Sequence, residues 1–190
     1  ILMGLFVNLR LKAGRMMLYR RLAALRRMKQ DFNLDRVRKI GILWDASFEN
    51  DFQYLAALNR QLSETGKSVE VIAWIPGKIV PDRLTGLSYM KFLRKTDLNW
   101  AFFPVSDDAK KFLETKYDLL IDVNPSSLFQ LSALAALSAA PMKVGPDLTD
   151  EPENTPYDLM IRAPKPFSIA FFIDQAMHYL SLIGSPETRA

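Results

Sequence analysis

The sequence contains no cysteine and a single histidine, His178. The absence of cysteine excludes disulfide bonds, cysteine nucleophiles and thiolate metal sites. One histidine cannot build a multi-histidine metal centre, and its place between Met177 and Tyr179 indicates a surface residue rather than a catalytic base. The sequence therefore predicts no metal site and no cofactor, and only carboxylates and hydroxyls remain for any catalysis.

Long apolar runs and glycine-rich motifs are also missing. The apolar runs at residues 1–7 and 16–19 fall well short of the roughly 20 residues that cross a bilayer, which predicts no transmembrane segment. The dinucleotide fingerprint, the phosphate-binding loop and the G-x-S-x-G nucleophile elbow do not occur. We expect a cytoplasmic location, with peripheral membrane attachment as an alternative. Because the chain opens with Ile1, either Met3 is the natural start or the sequence begins within a longer product.

Strand-like and helix-like segments alternate along most of the 190 residues. Predicted strands lie at 37–44, 68–75, 117–123, 141–145 and 157–161, with a further one near 88–92. Predicted helices lie at 8–30, 50–64, 106–116, 124–139 and 167–183. This order predicts an α/β, Rossmann-like fold at 37–190, with a mainly parallel sheet of about five or six strands and helices on both faces. Residues 1–36 are expected to form a basic helical extension. The predicted sheet core consists of Ile40, Ile42, Val71, Ala73, Leu119, Ile121, Val144 and Met160.

Positive charge is concentrated at the N-terminus. Residues 1–39 hold eleven basic residues and two acids, a net charge of +9, whereas the rest of the chain carries −5. Leu11, Leu18, Leu22 and Leu25 of the predicted helix 8–30 fall on one side, and Phe32, just beyond it, continues the same helical spacing. Basic residues are expected to cover most of the remaining circumference. The candidate residues for an anionic partner are Arg10, Lys12, Arg15, Arg20, Arg21, Arg26, Arg27 and Lys29. Such a helix can be a solvated element of the domain, or it can contact RNA or an anionic membrane.

Polar residues follow two of the predicted strands. Asp45 and Ser47 follow the first, and Asn124, Ser126 and Ser127 follow the central one. Ligands of open parallel sheets bind beyond the carboxyl ends of the strands, so these residues form a candidate ligand site. Ser126 and Ser127 are expected at a helix N-terminus, either as caps or as an anion site.

Asp45 and Asp122 could also act as a carboxylate pair if their strands are neighbours. A structural role is the alternative, because aspartates commonly end strands.

Four motifs carry a resemblance: K-I-G-I-L at 39–43, Y-D-L-L-I-D at 117–122, K-V-G at 143–145 and Y-D-L-M-I at 157–161. With the basic helix, they resemble a family of short uncharacterised proteins of Bacteroidota over about residues 10–183, which implies no assigned activity. Residues 117–145 also resemble the acceptor-side, N-terminal Rossmann-like domain of heptosyltransferase-like glycosyltransferases. Those enzymes have a second domain and an early glycine-rich loop, where this chain has W-D-A-S at 44–47.

The sequence thus leads to three functional hypotheses. The first is a non-catalytic binding module that docks through its basic helix on a larger anionic assembly, with a bacterial RNA–protein particle such as the ribosome as the preferred partner. The second is a domain that binds a nucleotide or sugar phosphate, or is related to glycosyltransferases, with the ligand near Asp45 and Ser126. The third is peripheral attachment to an anionic membrane surface.

Overall fold

The structure is a computed structural model that describes residues 2–126, 128–148 and 155–183. The strands in these ranges are β1 Lys39–Asp45, β2 Ser68–Ile75, β3 Met90–Arg94, β4 Leu119–Asp122, β5 Met142–Pro146 and β6 Leu159–Ile161. The α-helices in them are α1 Leu2–Leu22, α2 Phe52–Glu64, α3 Asp82–Thr85, α4 Asp107–Glu114, α5 Phe129–Leu137 and α6 Ile169–Leu182. Short 3₁₀ turns occupy Leu34–Arg36, Glu49–Asp51 and Lys95–Asp97.

The six strands form one parallel sheet in the order β3-β2-β1-β4-β5-β6. This is the strand order of a doubly wound Rossmann-like fold. The predicted fold class is therefore confirmed. The order reverses between β1 and β4, where Gly41 pairs with Leu120 and Leu43 pairs with Asp122. The carboxyl ends of these two strands form the crevice in which such folds commonly bind ligands.

Helices cover both faces of the sheet, and α1 adds a further layer. On one face, α2 and α6 pack on alternate strand residues such as Ile42 and Ile121. On the other face, α4 and α5 pack on the intervening residues such as Leu43 and Leu120. The inner side of α1 then packs on the outer side of α5, where Leu18 joins a small cluster around Phe103.

The predicted sheet core is buried with one exception, because Met160 is only half-buried. Met160 lies in β6, which is an edge strand and is covered less completely than the central strands. The pattern of buried strand residues follows from period-two alternation, since successive side chains point to opposite faces of the sheet. β2 has the predicted bounds.

The prediction of a helix over 8–30 is wrong at both ends. α1 begins at Leu2 and ends at Leu22, and the chain from residue 25 to 33 has no regular structure. Good helix formers continue beyond Leu22, but Arg27 donates hydrogen bonds to the carbonyl oxygens of Ala140 and Pro141. These contacts, with residues far away in the sequence, hold the segment against the domain. Arg26, Arg27 and Lys29 therefore lie outside the helix on which they were expected.

Gly14 allows α1 to approach the domain closely. A Cβ atom at this position would lie 2.3 Å from the carbonyl oxygen of Ala101 and 2.7 Å from the ring of Phe129. Real Cβ atoms do not come this near to other heavy atoms, so only glycine fits here without a shift of the helix. None of the helices in the described ranges is both long enough and apolar enough to cross a membrane.

Candidate functional site

The structure brings together four of the five candidate residues at the strand ends. Asp45 accepts hydrogen bonds from the Ser47 backbone N–H at 3.0 Å and the Ser47 hydroxyl at 2.6 Å. The Ser126 hydroxyl lies 3.4 Å from Asp45 Oδ2 and 3.1 Å from Asn124 Oδ1. These polar groups therefore satisfy one another and link the loops that follow β1 and β4. Ser127 lies outside the described residues.

Ser126 does not cap α5, so the prediction that it lies at the N-terminus of this helix, as a cap or as an anion site, is wrong. α5 begins at Phe129, and its N-cap residue is Leu128, which has no side-chain oxygen to offer. The Asn124 side chain instead accepts the Ser126 N–H at 3.2 Å and forms a local turn. This side-chain turn competes with helix formation and delays the start of α5.

Asp122 lies beneath this cluster and is 1% exposed. Its carboxylate accepts a hydrogen bond from the Tyr157 hydroxyl at 2.5 Å and another from the Asn124 N–H at 3.0 Å. Burial raises the pKa of Asp122 to about 6, although both hydrogen bonds oppose the shift. Burial, together with the neighbouring Asp122 carboxylate, raises the pKa of Tyr157 well above its usual range. The Tyr157 ring covers Gly145, where a Cβ would lie 2.4 Å from it.

β1 and β4 are neighbours, as the carboxylate-pair hypothesis requires, but Asp45 and Asp122 have separate hydrogen-bond partners. Each carboxylate stabilises its own surroundings. His178 is exposed on α6 and makes an edge contact with the ring of Tyr179, as expected of a surface histidine. Within the described ranges, no group of three His, Asp or Glu side chains is placed to hold a metal ion.

Four of the eight candidate cations make contacts within the protein. Arg10 donates a hydrogen bond to the carbonyl oxygen of Trp100 at 2.6 Å, and its guanidinium lies 3.8 Å from the centre of the Phe102 ring. Arg21 lies 4.5 Å from the centre of the Phe103 ring. These contacts hold α1 against the loop that follows β3.

Asp158 receives the other two cations, since its carboxylate pairs with Arg27 and with Lys29 at 3.0 Å. The Lys143 backbone N–H also donates to it at 2.9 Å. Burial alone would raise the pKa of Asp158, but these hydrogen bonds outweigh burial and hold the pKa below its ordinary value. Arg27 therefore stabilises the fold. A variant that lacks Arg27 would alter both stability and partner binding, so it does not test binding alone.

The remaining four candidate cations are Lys12, Arg15, Arg20 and Arg26. All four are exposed, and none makes a hydrogen bond or ion pair with a described residue. Three of them lie on α1, a helix without a single acidic residue. The cations available to an anionic partner are thus fewer than the sequence suggested.

The outward side of α1 is apolar along its middle. Leu5, Leu9 and Met16 are 65%, 54% and 54% exposed, respectively. On a helix with 3.6 residues per turn, the three lie within about 40° of one another, and we call them the outward stripe. Lys12 and Arg20 flank the stripe on either side. The prediction that basic residues cover most of the circumference is therefore wrong, because α1 has apolar residues on both its inner and outer sides.

Aromatic side chains extend this surface beyond the helix. Phe6, which is exposed, makes an edge contact with the ring of Trp100, with 6.3 Å between the ring centres. Trp100 is itself 52% exposed. Residues 100–103 form a loop that presents Trp100 to solvent beside α1.

Lys143 is the buried cation that sequence reasoning missed. It lies in β5 and is 1% exposed. Its Nζ donates hydrogen bonds to the carbonyl oxygens of Ala135 at 2.8 Å and Ala136 at 3.0 Å, in the last turn of α5. Burial and the nearby Arg27 lower the pKa of Lys143 to about 7. A lysine within an otherwise apolar strand was the signal that could have identified it.

A family model described as a family of unknown function, DUF6913, matches residues 10–183. The chain belongs to this family. The DUF6913 match includes all six strands and all of α6, together with most of α1. The expected membership of an uncharacterised family is confirmed, and the glycosyltransferase resemblance stays a prediction. A search of curated proteins gives no match.

Proposed function

We propose that the chain is a binding module that docks on an anionic membrane surface through the outward side of α1. The observation that carries this proposal is an exposed apolar stripe flanked by cations that pair with no described residue. A helix of this kind lies in the plane of the membrane interface, with its apolar side among the lipid headgroups. The stripe consists of Leu5, Leu9 and Met16, and the flanking cations are Lys12 and Arg20.

Charge favours an anionic partner for α1. The helix has five basic residues and no acid, so nothing on it repels a negatively charged surface. Each lysine or arginine held near an anionic membrane contributes about 1 kcal/mol to attraction. Arg10 and Arg21 already contact the protein, which leaves Lys12, Arg15 and Arg20 for headgroups.

The outward stripe belongs to none of the apolar clusters that the described residues form. Leu18 and Leu22 pack towards α5, and Gly14 sits against Ala101 and Phe129, so the inner side of α1 alone holds the helix in place. The 21 residues of α1 span about 31 Å. The docking surface is therefore a preformed helix, and binding does not have to supply the free energy of folding it.

Apolar exposure favours a lipid surface over RNA. Contacts with RNA rely on cations at phosphates and on aromatic rings or guanidinium groups stacked on bases. Leucine and methionine side chains have no such role, whereas a lipid interface buries them. Trp100 beside Phe6 fits the same surface, because tryptophan is enriched at membrane interfaces. The RNA–protein particle that the sequence favoured is therefore the alternative partner, and the experiment must distinguish it from a membrane.

Sedimentation with lipid vesicles tests this proposal. The full chain should bind vesicles of phosphatidylcholine and phosphatidylglycerol, and should bind phosphatidylcholine vesicles much more weakly. The variant Leu5→Gln/Leu9→Gln/Met16→Gln should bind at least about tenfold more weakly, because half-exposed aliphatic side chains each contribute about 1 kcal/mol on burial. A matched control replaces three exposed apolar residues outside α1, Tyr54, Ile79 and Phe171, by glutamine and should bind normally.

The cations have their own variant, Lys12→Glu/Arg20→Glu. It should remove the preference for anionic vesicles, and the wild-type preference should weaken as salt screens the surface charge. The proposal fails if the glutamine triple variant binds vesicles as tightly as the wild type. It also fails if the chain ignores vesicles and instead sediments with RNA–protein particles in a nuclease-sensitive manner.

A further inference from the structure

A cavity of about 620 Å³ lies between α1, α5 and the segment around Arg27. Leu18, Leu22, Leu25 and Phe129 contribute apolar walls. A volume of this size is typical of small-molecule sites, which are mostly apolar and carry a few polar groups.

Within the part of the chain that the structure describes, the charged residues that line this cavity are all basic. They are Arg15, Arg27 and Lys143. Arg27 is paired with Asp158, but Arg15 is exposed and unpaired among the described residues. An uncharged ligand would gain no electrostatic attraction from these basic side chains, whereas an anion is stabilised by them.

Lys143 is the group that points to a ligand rather than to general surface charge. A protonated amine has three N–H groups, and Lys143 uses two of them for the carbonyl oxygens of Ala135 and Ala136. The third has no partner among the described residues. A buried charged group with an unused donor is costly unless a ligand or counter-ion satisfies it.

We propose that this cavity binds an amphiphile with an alkyl chain and an anionic head, the head group lying against Lys143 and the chain against Leu22, Leu25 and Phe129. A fatty acid and a phospholipid fragment share this chemistry. The two sources differ in the head group, carboxylate in one and phosphate in the other.

The cavity opens beside the proposed docking surface but does not depend on it. Tyr19 lines the cavity and follows Met16 of the outward stripe by three positions, so the two are neighbours on the helix surface. A ligand could therefore enter from a membrane or from solution. Binding of a monomeric amphiphile measures the cavity alone, and so its failure is distinguishable from the failure of vesicle docking.

Calorimetric titration of the full chain with four probes tests the proposal. The probes are dodecanoate, dodecyl phosphate, dodecanol and acetate, each below its micelle concentration where it forms micelles. We expect saturable binding of at least one twelve-carbon anion. Dodecanol lacks the charge and acetate lacks the chain, so each should bind at least about tenfold more weakly, the factor for a lost interaction of 1.4 kcal/mol. Tighter binding of the carboxylate indicates a fatty acid, and tighter binding of the phosphate indicates a phospholipid source.

Two variants identify the site. Lys143→Met keeps the length of the side chain but removes its charge, and should weaken binding of the anion at least about tenfold while leaving dodecanol unchanged. Ser132→Trp adds a ring to the α5 wall and should block both chain-bearing probes, which keeps the test decisive if Lys143→Met does not fold. Lys110→Met, an exposed change on α4, is the control and should bind normally.

The pH dependence gives a second readout. Because the pKa of Lys143 lies near 7, anion binding should weaken between about pH 7 and about pH 9 in the wild type and stay level in Lys143→Met. The proposal is overturned if dodecanol binds as tightly as the anions, or if Ser132→Trp binds normally. The proposal is also overturned if neither of the two twelve-carbon anions shows saturable binding.

Discussion

Replacement of Asp122 by asparagine should remove a pH-dependent cost that burial imposes on the folded protein. Asp122 is almost fully buried, and its carboxylate is held by the Tyr157 hydroxyl and the Asn124 N–H. Asparagine has the same shape. Its amide oxygen can keep the bond from Asn124, and its NH₂ group can donate to the Tyr157 oxygen. The variant therefore changes the charge with little change in packing.

The magnitude follows from the pKa of Asp122, which burial raises from 3.8 to about 6. A raised pKa means that the folded protein binds the proton more tightly than the unfolded chain does. The stability that this group contributes is fully present below pH 3.8 and is lost as the pH rises through about 6. By proton linkage, the ionised carboxylate costs about 1 kcal/mol at about pH 4.5 and about 3 kcal/mol at about pH 7.5.

Urea unfolding followed by circular dichroism measures this cost. The free energy of unfolding of Asp122→Asn, minus that of the wild type, should increase by about 2 kcal/mol between about pH 4.5 and about pH 7.5. A difference that stays level across this range, or that decreases, would refute the reasoning. Such a result would mean that the Asp122 site is hydrated or that its hydrogen bonds outweigh burial.

Asp158→Asn is a control of opposite sign. Hydrogen bonds from Arg27, Lys29 and the Lys143 backbone lower the pKa of Asp158 despite its burial. Its contribution to stability is therefore present above the ordinary aspartate pKa and is lost as the pH falls below it. The variant should be destabilised throughout the range in which Asp122→Asn gains stability, and its deficit should shrink only below about pH 4.

Two glycine substitutions should destabilise the protein, each with a matched glycine as its control in the same urea experiment. Gly14→Ala should cost about 1–3 kcal/mol because its Cβ would overlap Ala101. Its control is Gly4→Ala, whose Cβ meets no described atom within 4 Å; it should be neutral or gain up to about 1 kcal/mol of helix propensity. Gly145→Ala should also cost about 1–3 kcal/mol, because its Cβ would overlap the ring of Tyr157. Its control is Gly86→Ala, whose Cβ likewise meets no described atom within 4 Å; it should stay within about 0.5 kcal/mol of the wild type. Normal stability of Gly14→Ala or Gly145→Ala would contradict the close approach at that glycine.

The elements of the sheet could be predicted from sequence because their signals are local. The run from Ser68 to Ile75 is mostly apolar, rich in β-branched residues and followed by Pro76-Gly77, and β2 has those bounds. The helix predicted at 106–116 is α4, and Ser106 caps it, since the Ser106 hydroxyl accepts the N–H of Ala109. Alternation of such segments implies a parallel sheet. The order of the strands could not be predicted, because strand pairing joins residues that are far apart in the sequence.

The candidate site was predicted only in part. Asp45 and Ser126 were placed at the same crevice because the carboxyl ends of parallel strands share one edge of the sheet. The start of α5 was predicted too early, because Asn124 forms a side-chain turn that composition does not distinguish from a helix cap. The role of Lys143 was missed because its burial depends on how closely α5 packs over β5.

The sequence by itself determined that an apolar and strongly basic segment precedes an α/β domain, since composition and local periodicity carry that information. Only the tertiary structure decided which side of α1 is buried and where the helix ends. Apolar residues occur on both sides of α1, and the side that carries Gly14 packs because it alone permits close approach to Ala101 and Phe129. The helix ends at Leu22 because Arg27 finds hydrogen-bond acceptors more than a hundred residues away, and no local pattern encodes a contact at that separation.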